Sequence, residues 1–203
     1  MRKPRFGAAS LSVAAGALAL VACGQAVDAE PIEYYADYPF YEELADLFSS
    51  ADLVIDARLT EDVEVREDPL TLPPDDPNDP RSNPELGVEE ADRVQNDEDP
   101  FVITVYKAEV REVFKGDARE GEIIEVMQLG GEFDGVMYVE PEATSLRTDS
   151  QYILFLRAFP GFPASLLNPQ QAQYAVTAEG KIEALTDNPI EISLTELDQL
   201  STQ

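Results

Sequence analysis

Few kinds of residue in this chain are able to do chemistry. Cys23 is the one cysteine of the 203 residues, and the sequence contains no histidine. A Ser-His-Asp triad, a histidine-ligated zinc site and the commonest general base near neutral pH are therefore excluded. Carboxylates remain, and two of them are enough for a glycosidase. The candidates, among which spacing selects no pair, are Glu109, Glu112, Glu132, Asp134 and Glu140. We expect no catalytic residue, no metal site and no cofactor.

The first 22 residues have the layout of a secretory signal. Arg2, Lys3 and Arg5 lie in a short basic start, and the sixteen residues from Gly7 to Ala22 carry no charge. A membrane-spanning helix needs about 20 apolar residues, so this stretch is short for a permanent span. A basic start followed by a short apolar stretch is typical of a signal peptide that is removed.

The residues after the apolar stretch indicate the type of signal. Leu20-Val21-Ala22-Cys23-Gly24 resembles the lipobox of bacterial lipoproteins, with a branched apolar residue, two small residues and then cysteine. The resemblance implies cleavage between Ala22 and Cys23 and a lipid on the Cys23 thiol. Two or three acyl chains give stable anchoring. The expected location is the extracytoplasmic face of the cell membrane, or the outer membrane if the cell has one, because Gly24 rather than Asp follows the cysteine.

The net charge restricts the possible partners. The chain carries −27, and three of its 14 basic residues but none of its 41 acidic residues precede Cys23. After cleavage, 11 basic and 41 acidic residues would leave a net charge of −30. A field of this sign repels nucleic-acid phosphates. We expect a solvated acidic surface, no nucleic acid, and another envelope protein or a cationic ligand as partner.

Composition also predicts the domain organisation: a signal peptide at 1–22, lipidated Cys23 with a tether to residue 39, and one domain at 40–203. Residues 66–100 hold seven of the fifteen prolines among many acids, and we interpret them as a disordered insertion. Within it, Asp75-Asp76-Pro77-Asn78-Asp79 offers clustered oxygen ligands to calcium but lacks the glycine of an EF-hand loop. A solvated acidic loop is the favoured interpretation.

A dense aromatic segment precedes the first predicted helix. Such a segment can bind a ligand such as a sugar, but more often it covers one end of a core. Its aromatic residues are Tyr34, Tyr35, Tyr38, Phe40 and Tyr41. Leu44, Leu47 and Phe48 then form one apolar stripe, which predicts a helix over 42–49.

Alternating and continuous apolar runs predict a mainly β domain. The first strand alternates from Leu53 to Leu59, typical of a sheet with one buried face. Residues 160–171 are predicted to be a loop, and a helix over 193–200, capped by Ser193 or Thr195, ends the chain. The predicted strands are 52–65, 101–114, 122–129, 136–139, 152–156, 174–177 and 181–185.

The run VYKAEVREVFKGD, the later YILFLR and the order of elements around them resemble the small β-barrel domains of many exported bacterial proteins. These domains are distant relatives of the netrin and metalloproteinase-inhibitor type. The resemblance implies an OB-like Greek-key barrel of five to six strands, with a short N-terminal and a short C-terminal helix. Its most recognisable part is the turn Lys115-Gly116-Asp117. Inhibitors of this type bind zinc through a disulfide-braced N-terminal cysteine, whereas Cys23 has no second cysteine to brace it.

Three functions remain after these exclusions. A non-catalytic binding or interaction module of the cell envelope is favoured, because the anchor and the barrel suit it and catalytic residue types are lacking. A low-affinity calcium-binding surface protein and a carboxylate-based cell-wall hydrolase are the alternatives.

The predicted lipid anchor can be tested on protein from its native membrane. Mass spectrometry is expected to find an N-terminus at Cys23 with added acyl mass, and Cys23→Ala is expected to lack that mass. An unmodified chain that retains Met1 would contradict both the cleavage and the anchor.

Overall fold

A computed structural model describes residues 30–68, 100–141, 143–185 and 188–202. The predicted lipidation at Cys23, the cleavage site after Ala22, the tether before residue 30 and the acidic stretch over 69–99 lie outside these residues. The described part is mainly β, as predicted, with ten strands and two helices. The strands are β1 (Ile32–Glu33), β2 (Leu53–Glu67), β3 (Val102–Lys115), β4 (Ile123–Leu129), β5 (Gly131–Phe133), β6 (Val136–Val139), β7 (Gln151–Phe159), β8 (Phe162–Leu166), β9 (Gln173–Val176) and β10 (Ile182–Ala184). The helices are α1 (Leu44–Ser50) and α2 (Leu194–Ser201), the latter capped by Ser193.

The strands form two sheets. Seven strands follow the order β10-β9-β7-β2-β3-β4-β8, and β8 pairs in addition with β7. The pairings are antiparallel except that of β4 with β8. A smaller sheet has the order β1-β6-β5, in which β1 runs parallel to β6. Strand β1 lies within the range predicted as tether, so the chain already packs on the domain at residue 32.

The core lies around β2 and β7. All five residues from Tyr152 to Leu156 are buried, as expected for a central strand. Strand β2 differs from its prediction, because Val54 and Asp56 on the second face are also buried, with 0% and 8% exposed. The reason lies beyond the strand itself. Helix α2 contacts β3 and buries Leu197, and its Asp198 is close enough to raise the pKa of Glu112, the residue of β3 that lies opposite Asp56. The helix is therefore near the second face at this end of β2.

The predicted loop over 160–171 is wrong in part, because Phe162–Leu166 forms strand β8. Leu166 and Ser165 pair with β7, while Ala164 and Ser165 pair with β4. Pro163 concealed the strand from sequence analysis, since proline cannot donate a ladder hydrogen bond and usually marks an edge or an irregularity. A register shift in the pairing with β7 lies between Arg157 and Phe159. The short strand β5 was missed as well, because the pair Gly130-Gly131 indicated a break.

The turn Lys115-Gly116-Asp117 joins helix α1 to the large sheet. Lys115 Nζ donates to the main-chain oxygens of Phe48 and Ser49, at 2.8 Å each, near the end of α1. Gly116 adopts a φ of +96°, and a Cβ atom there would lie 2.5 Å from the main-chain oxygen of Asp52. Only a residue without a side chain allows the turn to approach β2 so closely.

The close approach at Gly116 can be separated from its positive φ. Gly180 has a φ of +79° but open space around its Cβ position. We expect Gly180→Ala to lower the free energy of unfolding by about 1–2 kcal/mol, the cost of a left-handed conformation. Gly116→Ala is expected to cost about 3 kcal/mol or more, because the main chain must also move. Urea unfolding measures both, and equal losses would contradict the role of the contact.

A candidate binding groove at the aromatic segment

The aromatic segment, residues 34–41, begins at an anchored tyrosine. Tyr34 N donates to the main-chain oxygen of Val139 at 2.7 Å, which extends the pairing of β1 with β6. The Tyr34 ring lies 4.9 Å from Phe101 and 5.7 Å from Tyr138, measured between ring centroids. Its hydroxyl donates to the Pro100 oxygen and accepts from Val102 N. Tyr34 thus ties the segment to the beginning of β3.

The other end of the segment is held by two buried amides. Tyr41 N donates to Gln171 Oε1 at 2.9 Å, and Gln171 Nε2 donates to the Tyr41 oxygen at 2.8 Å. Asn168 Nδ2 donates to the Pro39 oxygen at 2.9 Å, while its Oδ1 accepts from Gln170 N and Gln171 N. We call Asn168 and Gln171 the amide clamp. It replaces a strand partner for residues 39–41 and fixes their main chain.

The aromatic side chains between these two ends divide into core and surface. Tyr41 is buried in the core, so that part of the segment covers the core as expected. Tyr35 and Phe40 remain 80% and 63% exposed. They line a groove of about 240 Å³, the aromatic groove, together with Tyr38, Asp37, Glu140 and Asn168. The segment therefore also presents aromatic surface that the core does not use.

A second depression adjoins the aromatic groove. This apolar cleft has a volume of about 220 Å³ and contains Phe101, Met127 and Leu166 in its wall. Tyr38, Glu140 and Pro169 line both the groove and the cleft. Tyr38 and Glu140 consequently stand at the boundary between an aromatic and an aliphatic surface.

Tyr38 and Glu140 interact at this boundary, and the interaction affects the pKa of the tyrosine. Burial raises the pKa of Tyr38, and the charge and hydrogen bond of Glu140 raise it further. Tyr38 therefore stays protonated at neutral pH, beside the Glu140 carboxylate.

The charge of the groove and the cleft has one sign. Among the described residues that line them, Asp37, Asp68 and Glu140 are acidic, and none is Lys or Arg. Aromatic faces attract cations through their quadrupole, and carboxylates attract them directly. This combination suits a ligand group that is positively charged and partly apolar.

The five carboxylates predicted as candidates for a catalytic pair are not brought together. Glu140 is the one of the five that lines the aromatic groove and the apolar cleft. Glu109 and Glu112 lie on β3, Glu132 lies on β5, and Asp134 is in the turn after it. The arrangement therefore selects no pair among the five.

Glu112 does have a carboxylate neighbour, Asp56, which was not among the five candidates from the sequence. The two residues are opposite each other on β3 and β2, and Gln151 Nε2 donates to both Asp56 oxygens at 2.8 Å. Burial raises the pKa of Asp56, while Gln151 and Arg111 partly offset the rise. Desolvation and the charge of Asp198 on α2 raise the pKa of Glu112. Neither carboxylate lines the groove or the cleft.

Two further features of the described residues concern metals and membranes. Within residues 30–68, 100–141, 143–185 and 188–202, no three acidic side chains gather in a way that could hold a metal ion. The acidic run from Asp75 to Asp79, where calcium was considered, lies outside those ranges. In the same ranges neither helix has the length and apolar character needed to cross a bilayer.

Comparison of the chain with protein-family models, with curated proteins and with solved structures finds no match. The geometry of the groove is accordingly the basis for assigning a function.

Sequence analysis identified some of these residues. It singled out the aromatic segment and considered Glu140, but it did not connect them. It missed the amide clamp, because Asn168 and Gln171 lie about 130 positions from their partners. The clamp residues occur in the run Asn168-Pro169-Gln170-Gln171, whose polar composition is also typical of an ordinary surface loop.

Proposed function

We propose that this chain is a lipid-anchored binding module of the cell envelope whose aromatic groove holds a cationic group. The observation that carries the proposal is the surface at Tyr35, Phe40 and Glu140, where exposed rings and a carboxylate meet and where no described lining residue is Lys or Arg. The proposed ligand group is an organic ammonium, as in a quaternary amine or a lysine side chain. Binding requires no catalytic step.

Ring and carboxylate have different tasks in this proposal. Tyr35 and Phe40 offer the faces over which an ammonium group with attached methylene or methyl groups packs, each contact contributing about 0.5–2 kcal/mol. Glu140 supplies the full negative charge, and Tyr38 lies beside its carboxylate. The amide clamp fixes the main chain around Phe40 before binding, which reduces the ordering entropy that a ligand must overcome.

The net charge supports the same choice of ligand. A chain of −27 attracts cations over several ångströms and raises their rate of encounter, an effect that salt weakens. Most of this charge lies outside the groove, so it favours cations in general. The rings and Glu140 would provide the selection among them.

The anchor and the barrel belong to the proposal too. Lipidation of Cys23 would hold the module to the extracytoplasmic face of the cell membrane, or to the outer membrane if present. Each of the strands β2, β3, β4, β8 and β7 pairs with the next one in this order, and the last, β7, also pairs with the first, β2. This ring of five pairings, one of them parallel, supports an OB-like barrel of the predicted kind. The groove would lie at one end of it.

The proposed function can be tested by calorimetric titration of the full chain with choline. We expect binding that weakens with salt and that is about two- to thirtyfold weaker in Tyr35→Ala and in Phe40→Ala, the loss of one ring–cation contact. Glu140→Gln keeps the shape of the side chain but removes its charge. We therefore expect this variant to lose choline affinity to a similar degree.

Two controls separate recognition of charge from apolar binding. The neutral tert-butyl isostere of choline has the same shape and should bind much more weakly if the positive charge matters. Phe162→Ala removes a ring that is 40% exposed at the beginning of β8 and that lines neither the groove nor the cleft, so it should leave the affinity unchanged. Equal affinities for choline and for its neutral isostere would overturn the proposal. Binding of a neutral sugar, with no binding of choline, would overturn it as well.

A further inference from the structure

A second cavity has a character opposite to that of the groove. It has a volume of about 450 Å³ and lies between the loop over 143–150 and strands β7 and β9. Arg58, Arg147 and one acidic residue, Asp149, line it together with the hydroxyl residues Thr144, Ser145 and Ser150. We call it the arginine pocket. Its volume is within the range of small-molecule sites, about 300–1,000 Å³.

The loop that forms one wall of the arginine pocket is fixed by side chains from three strands. Gln128 Nε2 donates to the Thr144 oxygen at 3.1 Å, and Gln128 Oε1 accepts from Leu146 N at 2.8 Å. Gln173 Nε2, which belongs to a fully buried side chain, donates to the same Thr144 oxygen at 2.7 Å. Arg147 N donates to the Tyr152 hydroxyl at 3.1 Å. The wall is therefore held in place without help from a ligand.

The two arginines differ in how they are paired. Arg58 lies 3.8 Å from Asp149, whose position is set by main-chain bonds of Asp149 and Ser150 to Leu59. The Arg147 guanidinium forms no ion pair with any described residue. Seven of the nine Lys and Arg side chains in the described ranges contact a carboxylate or a main-chain oxygen, and the exceptions are Arg147 and Arg119.

The absence of an ion-pair partner for Arg147 among the described residues is unusual for the composition of the chain. Acidic residues outnumber basic ones 41 to 14, so carboxylates are abundant near most basic side chains. Arg147 is exposed at the rim of the pocket, and its guanidinium presents up to five donors in a planar fork that matches a carboxylate or a phosphate. In the arginine pocket, hydroxyls add further donors on the same wall.

We propose that the arginine pocket binds the carboxylate or phosphate group of a small anionic ligand, with Arg147 as the main contact. Arg58, with its long ion pair to Asp149, provides the second positive charge, and the hydroxyls of Ser145 and Ser150 complete the set of donors. Tyr152 and Val176 in the lining give the body of the ligand an apolar surface. The site does not depend on the aromatic groove, since its ligand has the opposite charge.

The proposal is tested by titrating the full chain with inorganic phosphate and, separately, with succinate at constant ionic strength. We expect wild-type protein to bind at least one of them, and Arg147→Gln to bind it at least about tenfold more weakly, as for loss of a charged hydrogen bond. Binding of phosphate alone would assign a phosphorylated ligand, and binding of succinate alone would assign a carboxylate.

Arg119→Gln is the matched control, because Arg119 also lacks an ion pair among the described residues but lies in the turn before β4. It removes the same charge from the chain, so it should leave the affinity within about twofold of wild type. Arg147→Gln retains the main-chain bond to Tyr152, and an unchanged urea midpoint would show that it folds. Failure of wild type to bind either anion, or equal losses in Arg147→Gln and Arg119→Gln, would overturn the proposal. The choline titration is unaffected by either result.

Discussion

The candidate groove depends on the hydrogen bonds of two buried amide side chains. Gln171 bonds both the N–H and the carbonyl of Tyr41, and Asn168 bonds the carbonyl of Pro39. These main-chain groups have no strand partner, and a buried polar group without one costs about 1–3 kcal/mol. The clamp therefore lets an irregular segment pack against a β domain. In doing so it fixes Phe40 with its ring toward solvent, while the adjacent Tyr41 fills the core.

The two proposed sites share one structural device. In each, buried or half-buried side-chain amides hold an irregular segment, and that segment carries the charged or aromatic groups. Asn168 and Gln171 hold the aromatic segment, while Gln128 and Gln173 hold the loop with Arg147. Loops of this kind vary without disturbing the sheet, because the strands keep their own hydrogen bonds. A few residues on such segments are then enough to make one site acidic, at Glu140, and the other basic, at Arg147, although the chain as a whole is strongly acidic.

The sequence predicted the regular parts of the fold better than the irregular ones. Strands β2, β3, β4 and β7 carry long apolar patterns, and their positions were predicted to within a few residues. Strand β8 was missed because Pro163 interrupts its pattern, and the second buried face of β2 was missed because it depends on α2. The aromatic segment was visible as a cluster, but its partial exposure depends on Gln171, far away in the chain. Local patterns do not contain such long-range pairings.

The central claim is that a cationic group binds between the rings of the aromatic segment and Glu140. The most direct measurement is the change in amide NMR shifts of the full chain as choline is added. If choline binds in the aromatic groove, the largest changes will cluster at residues 34–41, 140–141 and 168–170, with little change at Phe162 or Arg147. Changes centred elsewhere, or none at a choline concentration that saturates the calorimetric signal, would contradict it.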